Sequence, residues 1–275
     1  MLKRKLKRAG NFAQGLLIIA AVDKIHFQPA QPQHPQLYSY SDTSIVLGDS
    51  AMEISDDALV DLPAIELNKF AKAYYNSYLK KKNKLTLSKV QQKSESYFKI
   101  IEKVLQAEDL PVQLKYLAVV ESKLKPTAVS SAGAAGPWQL MPVTARKMGL
   151  IVTKKYDERK LTTKSTRAAA KYLRLLHNQF DDWLLTIAAY NSGPAYVYKA
   201  IKKSGSRNFW KLQNFLPAET REHVKKFIAV HYYFEQAGGE TTMTKAEWQD
   251  YKKQVAALLP ADAAQHMAEP LAVKE

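Results

Sequence analysis

The chain has no cysteine among its 275 residues. That excludes a disulfide framework, a thiolate nucleophile and thiolate metal clusters, and removes the lipid-acceptor cysteine that commonly follows a signal segment. No apolar run approaches the ~20 residues a membrane-spanning helix needs. Alternating strand patterns, Asn-Gly hairpins and internal repeats are missing too. Acids are scarce: 41 lysines and arginines face 26 aspartates and glutamates, for a formal charge of +15. Between Ser122 and Tyr156 there is no Asp or Glu at all.

What is present is enough for a globular protein, since 46% hydrophobic residues over this length can bury a core in one or two domains. The positive charge suits an anionic partner, whether nucleic acid, acidic lipid or an acidic wall polymer. The basic runs at 80–84, 202–203 and 225–226 are scattered and carry no nucleic-acid motif, so they read as solvated faces and no nucleic-acid partner is expected. At the N-terminus "MLKRKLKR" precedes an uncharged stretch from Ala9 to Val22, the charge order of an export signal. Asp23 and Lys24 follow directly, without a clean cleavage site, so a retained interfacial anchor stays open beside a cleaved signal. Residues 1–27 are therefore expected to lead the chain to the cell envelope or periplasm, with membrane association through this segment. Residues 28–62, beginning "QPAQPQHPQ", read as a linker.

Helical spacing then takes over. Phe70, Ala73, Tyr74 and Tyr78 share one face, and Ser88 with Gln91 reads as a capping box ahead of Tyr97, Ile101, Val104 and Leu105. These two helices, 63–110, are expected to pack on a core domain at 111–238. Pro111 restarts the chain as a third helix, "PVQLKYLAVVES". Thr166, Ala169, Leu173, Leu176 and Phe180 follow helical spacing, and "DDWLLTIAAYN" is apolar nearly all round, which predicts a central buried helix. Pro194 and Pro217 open two more helices, and Thr244 with Glu247 caps a last one carrying Trp248, Tyr251, Val255 and Leu258 in the segment 239–275. The expected fold class is all-α.

Glu121 stands out. Leu114, Leu117 and Ala118 lie seven, four and three residues before it and share its face. An unpaired carboxylate on that apolar stripe is disfavoured as an anion, which favours the protonated, donating form. The plain alternative is a helix-end glutamate turned to solvent or paired with Lys123 or Lys125.

The segment "ESKLKPTAVSSAGAAGPWQLMPVTA" from Glu121 resembles the signature of the SLT-type lytic transglycosylases, cell-wall cleaving enzymes with a lysozyme-like helical domain. "YDER" at 156–159, "STRAAAKYLRLLHNQFDDWLLTIAAYNSGPAYV" at 165–197 and "LPAETREHV" at 216–224 match in the same order. The resemblance covers Pro111 to Gln236, and "GPWQ" is similar to the loop of the membrane-bound lytic murein transglycosylase D group. It implies that Glu121 is the sole catalytic acid/base, that Ser130 lies near the substrate, and that Gln139 and Met141 line the saccharide groove. It further implies a substrate contact for Tyr190 and Asn191 at the end of the buried helix. Glu219 is implied as a cleft carboxylate, although the first turn of a helix favours an acid in any case. Gly133, Gly136 and Pro137 would shape the loop. The family often has tyrosine where this chain has His223.

The resemblance implies that Glu121 protonates the glycosidic oxygen between N-acetylmuramic acid and N-acetylglucosamine, then takes the proton of the muramyl C6 hydroxyl as that oxygen closes a 1,6-anhydro ring. Neither a metal nor another cofactor is called for, the partner is the peptidoglycan glycan strand, and a monomer is expected. Hydrolysis commonly needs a second carboxylate, which Asp157, Glu158, Asp181, Asp182 or Glu219 could still supply through folding. A goose-type lysozyme-like hydrolase and a non-catalytic wall-binding protein therefore stand as alternatives.

Overall fold

The computed structural model describes residues 44–47, 50–53 and 65–258; the signal-like segment expected at 1–27 lies outside them. The chain divides into two compact units, one of Leu67–Phe234 with Thr241–Lys245, the other of Met1–Glu66, Glu235–Glu240 and Ala246–Glu275. Ten α-helices are described: α1 (Lys69–Tyr78), α2 (Lys81–Ala107), α3 (Lys115–Ser122), α4 (Pro142–Lys147), α5 (Thr162–Phe180), α6 (Trp183–Ser192), α7 (Pro194–Ser204), α8 (Phe209–Leu212), α9 (Ala218–Glu235) and α10 (Lys245–Leu258). The all-α expectation holds, with one departure. Ser44–Leu47 (β1) and Ser50–Glu53 (β2) pair antiparallel, Ser44 opposite Glu53 and Leu47 opposite Ser50. These strands flank Gly48 and Asp49, and β1 carries the β-branched pair Ile45 and Val46. Among the described residues no helix is long and apolar enough to cross a membrane.

In the larger unit, α5 and α6 form the centre. Ala168, Ala169 and Ala170 of α5 are fully buried, and α5 packs against both α2 and α6; such small side chains let helix backbones approach closely. On α6 every residue from Trp183 to Ala189 is buried, so its stability comes from being surrounded. Each of Leu184, Leu185 and Ile187 contributes about 1.5–3 kcal/mol by leaving water. Both ends of α6 are set by chemistry readable in the sequence. Asp182 Oδ1 accepts the Leu185 N–H at 3.0 Å, a side-chain cap for the orphan donors of the first turn. Gly193 stops the helix at a φ of 87°, and Pro194 opens α7.

The capping box expected at Ser88 does not form, because Ser88 lies inside α2. Lysine, leucine and threonine carry the helix back to Lys81, and the break from α1 is held instead by Asn83, whose Nδ2 donates to Tyr78 O at 2.8 Å. One buried charge joins α2 to α3: Lys115 Nζ lies 2.5 Å from Glu102 Oε1, with the Phe98 and Tyr116 rings at 5.2 and 5.0 Å. Removing one partner alone would strand the other's charge, at a cost of about 3–5 kcal/mol.

His231 of α9 is buried beside Thr241, its Nδ1 lying 3.1 Å from Thr241 Oγ1. Burial, with Lys115 nearby, pushes its pKa down to about 3. The unfolded chain takes up a proton near pH 6.5, before the folded chain does, so stability conferred above pH 6.5 drains away as pH falls from about 6.5 toward 3. Urea midpoints measured from pH 7 to pH 4 are expected to fall steeply for the native chain and less steeply for His231→Gln; parallel slopes would contradict this assignment.

Candidate active site

Glu121 occupies the last turn of α3. Leu114, Leu117 and Ala118 below it are fully buried, whereas its own side chain keeps 15% of its surface exposed. The helix ends just beyond, in a double reversal. Lys123 N–H bonds to Val119 O at 2.9 Å and Leu124 N–H to Ala118 O at 3.2 Å, two nested bonds that satisfy carbonyls of the last turn. Lys123 and Leu124 both take left-handed backbone, at φ 57° and 61°. Side chains with a Cβ resist that conformation, and burial of Leu124 offsets the cost. The turn sends the chain into the loop 125–141 directly over the carboxylate's end of α3.

The partner of Glu121 is neither Lys123 nor Lys125, both of which are exposed. It is His223 of α9, whose Nε2 lies 2.9 Å from Glu121 Oε1. Glu121 Oε2 has no hydrogen bond among the described residues and is not among their fully buried unpartnered atoms, so this oxygen keeps some exposure to solvent. Tyr190, from the end of α6, is the third group of the cluster. Its burial, with the Glu121 carboxylate and Tyr172 close by, holds its pKa well above the ordinary phenol value. It therefore stays a neutral donor, and its hydroxyl donates to Trp138 O at 2.8 Å.

The loop is wired from below. Ser122 Oγ donates to Pro137 O at 2.9 Å and accepts the Lys125 N–H at 3.0 Å. Trp138 is fully buried, and its indole N–H donates to Thr166 Oγ1 at 2.9 Å. Arg159 is clamped by Asp157 through two bonds of 2.9 and 2.8 Å and donates Nη1 to Gly133 O at 2.7 Å and Leu140 O at 2.9 Å. That clamp keeps the Asp157 carboxyl below its usual range. Glu158 is lowered as well, first by the Ile151 N–H it accepts at 2.8 Å and then by Lys164, its ion-pair partner. Gly136 sits at φ 82° so near this brace that a Cβ there would lie 1.8 Å from Arg159 O.

The remaining residues named from the sequence occupy different stations. Ser130 Oγ accepts the Ala134 N–H at 3.0 Å inside the loop. Gln139, at φ 47°, spends its amide N–H groups on Gly136 O at 2.8 Å and Ala128 O at 3.3 Å. Asn191 Oδ1 accepts from Thr220 Oγ1 at 2.8 Å, tying the end of α6 to the first turn of α9. Met141 is exposed at the start of α4. Glu219 is exposed, one helical turn before His223 on the same face of α9. Thus Glu121 and Tyr190 come together, Ser130 and Gln139 shape the loop, and Met141 and Glu219 have no bond drawing them to the carboxylate. Sequence reasoning gave no role to Ser122, Arg159 or Thr166. "YDER" was visible as a motif, but nothing in it says that Asp157 and Arg159 turn under the loop.

Residues 98–213 match the family model described as the Transglycosylase SLT domain. It is 39% identical over 188 residues to the membrane-bound lytic murein transglycosylase D of Escherichia coli strain K12, a match covering 66% of this chain and 40% of the relative. The chain thus spans well under half of that relative's length. It is 40% identical over 82 residues to the peptidoglycan transglycosylase gp16 of Escherichia phage T7, covering 29% of this chain and 6% of that protein. A solved complex of a 70-kDa soluble lytic transglycosylase with bulgecin A aligns with a TM-score of 0.50 at 21% identity, over 65% of this chain and 32% of the other. This likeness bears on the fold, which is the lysozyme-like helical fold of SLT domains.

Two glycine substitutions test the wiring. Gly136→Ala drives a methyl into the Arg159 carbonyl and is expected to cost about 3–5 kcal/mol. Gly133→Ala, at φ 85° with nothing within 4 Å of the new methyl, should cost only the left-handed penalty of about 1–2 kcal/mol. Denaturant titration of both variants checks the order, and equal losses would remove the special role given to Gly136.

Proposed function

We propose that the chain is a peptidoglycan lytic transglycosylase with Glu121 as its only acid/base, acting on glycan strands at the cell envelope. Glu121 first gives its proton to the glycosidic oxygen between N-acetylmuramic acid and N-acetylglucosamine. As carboxylate it then receives the proton of the muramyl C6 hydroxyl while that oxygen bonds to C1 and closes the 1,6-anhydro ring. Atoms balance without water, and Glu121 ends as it began. An intramolecular hydroxyl held at close range has an effective concentration of ~10⁵ M or more in favourable cases, enough to outcompete water.

The observation that carries this reading is the half-buried Glu121 with one oxygen bonded and the other unbonded among the described residues, in a chain whose relatives are named as murein and peptidoglycan transglycosylases. Support for a single acid comes from what four of the five other candidate carboxylates do, Glu219 being the one that is exposed and unengaged among the described residues. Asp157 is clamped on Arg159, Glu158 on Ile151 N–H and Lys164, Asp181 on Lys245, and Asp182 caps α6. A hydrolase would need one of them within about 5–9.5 Å of the first acid and free to act. Ser130, Gln139, Met141, Asn191 and Glu219 fall to substrate binding or to shaping the groove, and Tyr190 to substrate contact while it fastens the loop through Trp138 O. The basic N-terminal segment supports export and membrane association.

Glu121→Gln keeps size and hydrogen bonding but has no proton to give or take. Turnover of isolated sacculi is expected to fall by at least about 10²–10⁴-fold with the fold intact by circular dichroism, while Glu219→Gln is much milder. Near-normal turnover in the Glu121 variant would mean that another group is the acid. Mass spectrometry of the native digest should show muropeptides lighter by one water than muramidase products, with ends that resist borohydride. Mainly reducible ends would instead favour the lysozyme-like alternative.

A further inference from the structure

His223 is held firmly in place. Thr220, three residues earlier on α9, bonds to Asn191, and Val224 beside it is fully buried. The ring itself is 9% exposed. Nε2 faces Glu121 Oε1 at 2.9 Å, whereas Nδ1 is buried with no hydrogen-bond partner among the described residues.

That asymmetry decides where the imidazole proton sits. A neutral ring carries one N–H. On Nδ1 the proton would be a buried donor with nothing to donate to, among the rarest and costliest arrangements in a folded protein. On Nε2 it makes the bond to Glu121, and only a lone pair is left bare on Nδ1. An imidazolium would again bury an orphan N–H at Nδ1. The Nε2–H then has one acceptor, Glu121 Oε1. A carboxylate oxygen and the carbonyl oxygen of a carboxylic acid both accept such a bond, so it persists whether Glu121 is charged or neutral. With Oε1 occupied as an acceptor, the acidic proton has one place, Oε2, which also keeps some exposure to solvent.

We propose that His223 is a positioning residue for Glu121: its Nε2–H holds Oε1 through both halves of the reaction and so assigns all proton transfer to Oε2. The inference rests on the reading of Glu121 as the acid/base. It gives a role to the position at which this chain departs from the tyrosine often found in the family, since a phenol O–H could make the same neutral donation. His223 itself neither takes nor gives a proton in the reaction.

The test joins a structural readout to a kinetic one. In ¹⁵N-histidine-labelled full-length protein at pH 7, long-range nitrogen–proton correlations should show His223 protonated on Nε2 and bare on Nδ1; an Nδ1–H tautomer overturns the proposal without reference to activity. In kinetics on soluble glycan strands, His223→Phe is expected to lower kcat by about 10–100-fold, the scale of a misplaced catalytic group, with KM within about twofold. His223→Gln, whose amide N–H has a similar reach, and His223→Tyr should recover most of the loss. Unchanged kcat in folded His223→Phe, or equal losses in all three variants, defeats the proposal. Glu121→Gln run alongside separates the two layers. If it turns over normally, the acid has been misassigned; if it is inert while His223→Phe is unaffected, the positioning role alone fails.

Discussion

A carboxylate at the end of an apolar helix needs a neighbour, and the hydrogen bond between Glu121 and His223 supplies one from 102 residues away. For this pair to form, α3 must end where it does and α9 must begin where it does. The first condition is met by the reversal at Lys123 and Leu124, the second by the bond from Thr220 to Asn191. The carboxylate is thereby divided into one oxygen bonded to His223 and one unbonded among the described residues. Any chemistry assigned to Glu121 starts from that division.

The loop after Glu121 obeys the opposite logic, since its order comes from beneath. It contains small residues with little side chain to bury, so its shape depends on backbone carbonyls finding donors: Pro137 from Ser122, Trp138 from Tyr190, Gly133 and Leu140 from Arg159. Each neutral bond contributes about 0.5–1.5 kcal/mol net and the charged Arg159 bonds somewhat more. Together they outweigh the unfavourable backbone at Gln139 and the close pass of Gly136 over Arg159. Tyr190 belongs to both systems, fastening the loop through Trp138 while sharing the surroundings of Glu121.

The acids illustrate how position overrides residue type. Asp157 and Glu158 look, in a sequence, like candidates for a second catalytic carboxylate. In the fold they are braces, each bonded to a cation and to a backbone N–H, and each held below the usual carboxylate range by those bonds. A carboxylate so engaged is a poor general base, because accepting a proton would break the contacts that order the loop. Glu121 has one hydrogen-bond partner among the described residues, His223, and its other oxygen is unbonded among them.

The helices could be read from the sequence because what makes them is local: an apolar stripe at 3.6-residue spacing on α5, an all-apolar run for α6, Asp182 as a cap, Gly193 and Pro194 as a boundary. Glu121 could be singled out for the same reason, as an acid in register with Leu114, Leu117 and Ala118. Where competing local signals were close in strength the reading slipped, as at Ser88, whose capping pattern yields to a longer helix that begins at Lys81. The pairings were not legible. Nothing within a few residues of His223 points to Glu121, nothing in "YDER" says that Arg159 reaches Gly133, and Ser122 looks like any helix-end serine. The sequence determined which segments coil and where they stop, since turn and cap energies act over three or four residues. Only the crossing of α3, α6 and α9 decided which side chains meet, because contact between residues tens of positions apart depends on how whole helical faces pack.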